Sequence, residues 1–171
     1  MKDKISKVVV VGGGTAGWMS AALLSRVLGE TVDIELVESE AIGIVGVGEA
    51  TIPPIQHVNA VLGLNEAEFL RETKSTIKLA IRFENWGAQG QRYYHTFGAP
   101  GISQAFCHFH HFWNRARLSG YDSNLWEYDL NYLCAEAGKF AKLQVKDPRW
   151  EMPYAYHFDA SLYGQFLRRY S

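Results

Sequence analysis

The sequence predicts an α/β fold of Rossmann-like type, and three observations carry that reading. A continuous β-branched run, Val8 to Val11, leads into a glycine-rich turn, Gly12 to Gly17. Helix formers fill Trp18 to Leu28 before a stop at Gly29. A second strand, Val32 to Val37, then ends at Glu38. Strand, glycine turn, helix and strand make a βαβ unit, and an apolar run without polar alternation suits a strand covered on both faces.

The turn carries chemistry as well as geometry. Its glycines fall as Gly12-x-Gly14-x-x-Gly17, and Glu38 lies 21 residues beyond Gly17 at the end of the second strand. Gly12 permits the tight turn, Gly14 lets backbone approach a pyrophosphate, and Gly17 lets helix and strand pack closely. Gly13, Thr15 and Ala16 complete the loop, whose helix N-terminus offers unpaired N–H groups and positive dipole charge to phosphates. Glu38 accepts hydrogen bonds from a ribose, and its charge disfavours a 2′-phosphate. The motif predicts dinucleotide binding and serves FAD and NAD alike.

Further along, a loop from Ile42 to Pro54 holds Gly43, Gly46 and Gly48, and its Pro53-Pro54 pair can open a helix. Residues 55–72 read as two short helices broken at Gly63, with Asn65 as N-cap and Glu68 three residues on. From Ile77 to Trp86 the pattern becomes strict alternation. Ile77, Leu79, Ile81 and Phe83 share one face; Lys78, Ala80, Arg82 and Glu84 share the other. A turn at Gly87 to Gly90 leads to Arg92–Phe97, the expected hairpin partner. Residues 104–118 and 126–140 read as helical, Tyr154 to Phe158 as a strand, and Ala160 to Tyr170 as a helix.

Composition narrows the function. The chain has 171 residues, enough for one core and not comfortably for two, so residues 1–171 are expected to form part of a single domain. Seventeen Lys and Arg against eighteen Asp and Glu give a net charge of −1, which argues against nucleic acid and anionic membranes as partners. The two cysteines, Cys107 and Cys134, form no CxxC pair, which excludes a cysteine zinc site and suits a reducing compartment. No apolar run reaches membrane-spanning length, and the first strand begins near Ile5, leaving no room for a signal peptide. A cytoplasmic location is expected. His108 and His111 stand at helical i, i+3 spacing, with His110 beside them. No carboxylate or cysteine motif accompanies them, so they read as packing or surface histidines. Tyr156-His157-Phe158-Asp159 reads as a strand-to-helix junction with Asp159 as N-cap, not as a His–Asp catalytic pair.

Two stretches add specificity: Gly46-Val47-Gly48-Glu49-Ala50-Thr51-Ile52-Pro53, and Lys78-x-x-Ile81-x-Phe83-x-Asn85-Trp86. Together with Gly12–Trp18, Tyr94–Gly98 and Tyr156–Ala160, they resemble the flavin-dependent tryptophan halogenase family, in order along the whole chain. The resemblance implies the Rossmann-like FAD-binding fold of GR2-type flavoproteins, with an inserted antiparallel substrate-side β element and helices. It implies that FADH2, oxygen and chloride or bromide make hypohalous acid, which halogenates tryptophan, indole or a related arene. A separate flavin reductase supplies the reduced flavin by diffusion.

By the same resemblance Lys78 matches the essential lysine, acting either as an ammonium that polarises hypohalous acid or as an amine that captures the halogen. His95 and Phe97 match positions that stack on the indole; two apart on a strand, they would share a face. Gly48, Glu49 and Ala50 match the strap over the flavin. Thr96 stands where the family often has proline. The family's WxWxIP motif and catalytic glutamate do not occur in these 171 residues, and the chain stops in mid-helix. The expectation is therefore a piece of a longer enzyme, inactive by itself. A flavin monooxygenase and a non-catalytic flavin-binding module are the alternatives.

Overall fold

The computed structural model describes residues 4–39, 41, 42 and 49–170, with Glu49 described by its backbone alone. The chain divides into two compact units: residues 1–76 with 156–171, and residues 77–155 between them.

The first unit opens with β1 (Lys7–Val11), α1 (Thr15–Leu28) and β2 (Asp33–Val37). β1 and β2 pair in parallel, Lys7 opposite Asp33 through Val11 opposite Val37. Val8 and Val10 are half-buried, whereas Val9 and Val11 are exposed, so the run alternates instead of being covered on both faces. Gly29 ends α1 at φ +55°, a conformation that costs glycine little. β3 (Glu49–Ala50) follows, then α2 (Pro54–Val61) with proline in its first turn, and α3 (Glu66–Glu72). The Asn65 side chain caps α3 by accepting from the Glu68 N–H at 3.0 Å.

β4 (Thr76–Lys78) leads into the second unit, where β5 (Ala80–Glu84) and β6 (Arg92–Thr96) form the expected antiparallel hairpin, Ala80 opposite Thr96 and Glu84 opposite Arg92. Asn85 turns the corner at φ +61°, its side-chain oxygen accepting from the Gly90 N–H at 2.6 Å. The long alternating strand is interrupted at Leu79, and both Lys78 and Leu79 are buried. α4 (Phe109–Leu118) begins later than the sequence pattern predicts, because Ala105 at φ +48° and a Gln104–Cys107 bridge fold the chain tightly just before it. A 3₁₀ turn, Leu125–Tyr128, precedes α5 (Leu130–Glu136), which Asp129 caps. α5 packs on the hairpin, with Tyr132 edge-on to Tyr94 at 4.9 Å.

The chain re-enters the first unit at β7 (Ala155–Phe158), whose Phe158 and His157 stand opposite Glu49 and Ala50, and ends with α6 (Ala160–Arg168). Asp159 caps α6 by accepting from the Leu162 N–H at 3.0 Å. The core here is aromatic. Phe69 is fully buried and meets Tyr156, Tyr163, Phe158 and Phe166 edge-on at 4.9 to 6.2 Å. The two tyrosine hydroxyls find partners, Tyr163 donating to Asn59 at 2.9 Å and Tyr156 to Glu66 at 2.7 Å. No helix among the described residues is long and apolar enough to cross a membrane.

Candidate functional site

A cavity of about 650 Å³ opens where the glycine turn meets α1, lined by Gly12, Gly13, Gly14, Trp18 and Glu38 and, from α6, by Ser161, Gln165 and Arg168. That volume is in the range of cofactor pockets. The glycines divide the work. Gly12 sits at φ +117°, which side chains rarely adopt. A Cβ on Gly17 would stand 1.8 Å from the Gly12 carbonyl oxygen, so this glycine lets α1 close on the turn. A Cβ on Gly14 would meet nothing within 4 Å, so the bare backbone at the helix start faces open space. That is the cradle a pyrophosphate needs: N–H groups at a helix N-terminus with no side chain in the way. Thr15 and Ala16 begin α1 behind it, and the Thr15 hydroxyl donates to the Ala160 carbonyl at 3.2 Å, tying α1 to α6.

Glu38 stands against Gly13, where a Cβ would meet its carboxylate at 1.8 Å. One carboxylate oxygen accepts from the Trp18 indole N–H at 3.3 Å, and the other pairs with Arg168 at 3.2 Å. A carboxylate has about four lone-pair sites, so two contacts leave capacity for a ribose. Motif spacing located the glycines and Glu38 but missed the α6 wall. The legible signal for it is the polar stripe Ser161, Gln165, Arg168 at i, i+4 and i+7. Of the expected strap, Gly48 lies outside the described residues; Glu49 and Ala50 lie on β3, and Ala50 is exposed.

The second unit holds Lys78. Its side chain is only 6% exposed, and its Nζ lies 5.3 Å from the centre of the Phe97 ring. Lysines are almost never this buried unless paired. Burial pulls its pKa below the usual lysine value, since a charged amine loses hydration there. β6 stops at Thr96, so Phe97 lies past the strand in a bend, half-buried, while His95 is exposed on the strand opposite Ile81. The two-residue spacing therefore does not put both on one strand face. Thr96 between them is buried and donates to Asp129 at 2.5 Å. His108, His110 and His111 are exposed at the start of α4, and no cluster of three metal-ligating side chains occurs among the described residues.

Comparison with known proteins identifies this arrangement. The family model described as tryptophan halogenase matches residues 7–171. The chain belongs to the tryptophan halogenase family. It is 35% identical to the tryptophan 6-halogenase SttH of Streptomyces toxytricini, over 96% of this chain and 35% of that protein. It is 34% identical to the tryptophan 7-halogenase RebH of Lentzea aerocolonigenes, over all of this chain and 35% of that one. Among solved structures, a flavin-dependent halogenase from Xanthomonas campestris superposes with a TM-score of 0.91 at 45% identity, covering 98% of this chain and 33% of that one. The chain thus spans about a third of the length of the relatives it matches. Its fold is the Rossmann-like FAD-binding fold of these halogenases, and the family is flavin-dependent. The glycine cradle, its cavity and Glu38 fit the dinucleotide end of that flavin. The matches do not favour the monooxygenase or non-catalytic alternatives.

Proposed function

We propose that this chain is the FAD-binding and lysine-bearing part of a halogenase that acts on tryptophan, indole or another electron-rich arene. The observation that carries the reading is a buried lysine beside an aromatic ring, in a chain whose glycine turn opens onto a cavity of cofactor size. When bound, reduced flavin would supply two electrons and two protons, by which oxygen and a halide ion, with one further proton, become hypohalous acid and water.

The chain's own residues do the rest. Gly12, Gly13, Gly14 and the N–H groups of Thr15 and Ala16 hold the pyrophosphate, Gly17 keeps α1 close, and Glu38 takes the ribose. Glu49 and Ala50, with Gly48 before them, form the flavin strap. Phe97 and His95 hold the flat face of the substrate, and Lys78 donates a hydrogen bond from Nζ to the hypohalous oxygen. Burial makes the ammonium a stronger acid, hence a better donor. As the ring carbon bonds to halogen, the oxygen–halogen bond breaks and the Nζ proton leaves with the oxygen as water. The proton displaced from the ring returns to the amine through solvent. A separate reductase delivers the reduced flavin by diffusion, and the protein works in the cytoplasm.

The test is Lys78→Ala in the full-length protein, supplied with a flavin reductase, oxygen and bromide. Loss of halogenated indole by at least about a hundredfold, with flavin affinity retained, is the expected result. Unchanged product formation refutes the role of the lysine, and hydroxylated product from the wild type refutes halogenation.

A further inference from the structure

Asp129 and Asn131 are polar side chains only 0% and 1% exposed, and the reaction just described gives them no task. Polar groups this deep destabilise a fold unless they are hydrogen-bonded. Both are bonded, and two of their four hydrogen bonds reach Leu79 and Thr96, the neighbours of Lys78 and Phe97. The Asn131 amide donates to the Leu79 carbonyl at 3.2 Å and to the Pro153 carbonyl at 2.6 Å. The same Leu79 carbonyl accepts from the Phe97 N–H at 3.1 Å. Asp129 accepts from the Thr96 hydroxyl at 2.5 Å and from the Tyr132 N–H at 3.1 Å. On the other side of Phe97, a Cβ on Gly98 would meet Asn131 Oδ1 at 2.8 Å and Asp129 Oδ1 at 2.9 Å. Leu79, Thr96 and Gly98 are the residues that follow Lys78 and flank Phe97. One pair of side chains at the start of α5 bonds Leu79 and Thr96 and lies against Gly98, at the place where the strand is interrupted between β4 and β5.

We propose that Asp129 and Asn131 are positioning residues that set the distance between the Lys78 amine and the Phe97 ring. The predicted effect on turnover rests on the halogenase reading; the predicted effect on the lysine does not. In a reacting group, misplacement by about 1 Å costs on the order of a hundredfold in rate.

The experiment uses the full-length protein with Asn131→Ala, Asp129→Ala, Asp129→Asn and Thr96→Val. Three quantities are read: the pH profile of Lys78 acetylation by mass spectrometry, kcat and KM for halogenation, and flavin affinity. Asn131→Ala and Asp129→Ala should move the Lys78 midpoint up towards the ordinary lysine value and lower kcat about ten- to a hundredfold. Flavin affinity should stay within about twofold of the wild type, because the cradle residues are untouched. Asp129→Asn keeps an acceptor for the Tyr132 N–H and an amide for the Thr96 hydroxyl, so it should restore both readouts. Should the alanine variants fail to fold, Thr96→Val carries the test: it removes one hydrogen bond with little change of shape and should shift the profile partway. Folded variants with a wild-type Lys78 profile overturn the proposal, as does an Asp129→Asn that behaves like Asp129→Ala. A wild type without halogenating activity would instead refute the halogenase reading, while the acetylation profiles still decide the positioning claim.

Discussion

Gly14 and Gly17 stand three residues apart in one motif, yet the same substitution at each should fail for a different reason. Gly17→Ala puts a methyl group 1.8 Å from a backbone carbonyl oxygen that cannot swing aside. A tolerable contact begins near 3.0 Å, so helix and turn must separate by about 1.2 Å. Overpacking of this kind costs about 1–3 kcal/mol, or about 2–12 °C in melting temperature for a domain of 150–250 residues. Gly14→Ala meets open space at φ −72°, which alanine adopts without strain. Its cost to the flavin-free protein is below about 1 kcal/mol, the N-cap preference for glycine over alanine. In the proposed cradle the methyl group stands in the path of the pyrophosphate, so flavin affinity should fall at least about tenfold, or about 1.4 kcal/mol. Melting of the flavin-free protein and flavin titration by fluorescence separate the two effects. If Gly14→Ala lowers the melting temperature as much as Gly17→Ala, or binds flavin like the wild type, the division of labour is wrong.

Two further predictions concern stability. Lys78 has its pKa lowered by burial in the folded chain and the ordinary value near 10.5 when unfolded. Between those values the unfolded state binds more protons, so wild-type stability rises with pH through that window. Lys78→Met lacks the rise; its stability relative to the wild type should be highest at neutral pH and decline towards pH 10.5, as urea unfolding across that range will report. Asp159→Ala removes the cap from α6 and should cost about 1 kcal/mol, against a few tenths for Asp159→Asn, measured by thermal melting.

Local chemistry made some elements legible in advance. Gly29, Asn65 and Asp159 each mark a helix end because a positive φ or a short oxygen-bearing side chain is needed within one turn of chain. The hairpin of β5 and β6 follows from alternation around a glycine-rich turn. The geometry at Gly12 and Gly17 was readable because a few neighbouring backbone atoms set it. One reading overshot where a non-glycine residue takes an unusual conformation. The helix expected from residue 104 waits until Phe109 because Ala105 sits at φ +48° and Gly101 lies so close to the Phe109 ring that a Cβ would meet it at 2.3 Å. Nothing in the residue types at 104–108 announces that contact.

The Lys78 environment shows why a residue can match a family motif while its surroundings stay hidden in the sequence. Alternation assigns Lys78 and Leu79 to opposite faces, one of them polar, yet both are buried because the strand breaks between Lys78 and Ala80. The groups that secure the break come from Asp129 and Asn131, about fifty residues downstream, and no local pattern links them to Leu79. Burying an amine and two further polar side chains in one small unit gains little stability compared with apolar packing of the same volume. What such a network can supply is a fixed position for a reacting group, since supporting hydrogen bonds restrict movement that apolar contacts allow. If that is why this chain keeps them, replacing Asp129 and Asn131 should disturb the chemistry of Lys78 more than it disturbs the fold.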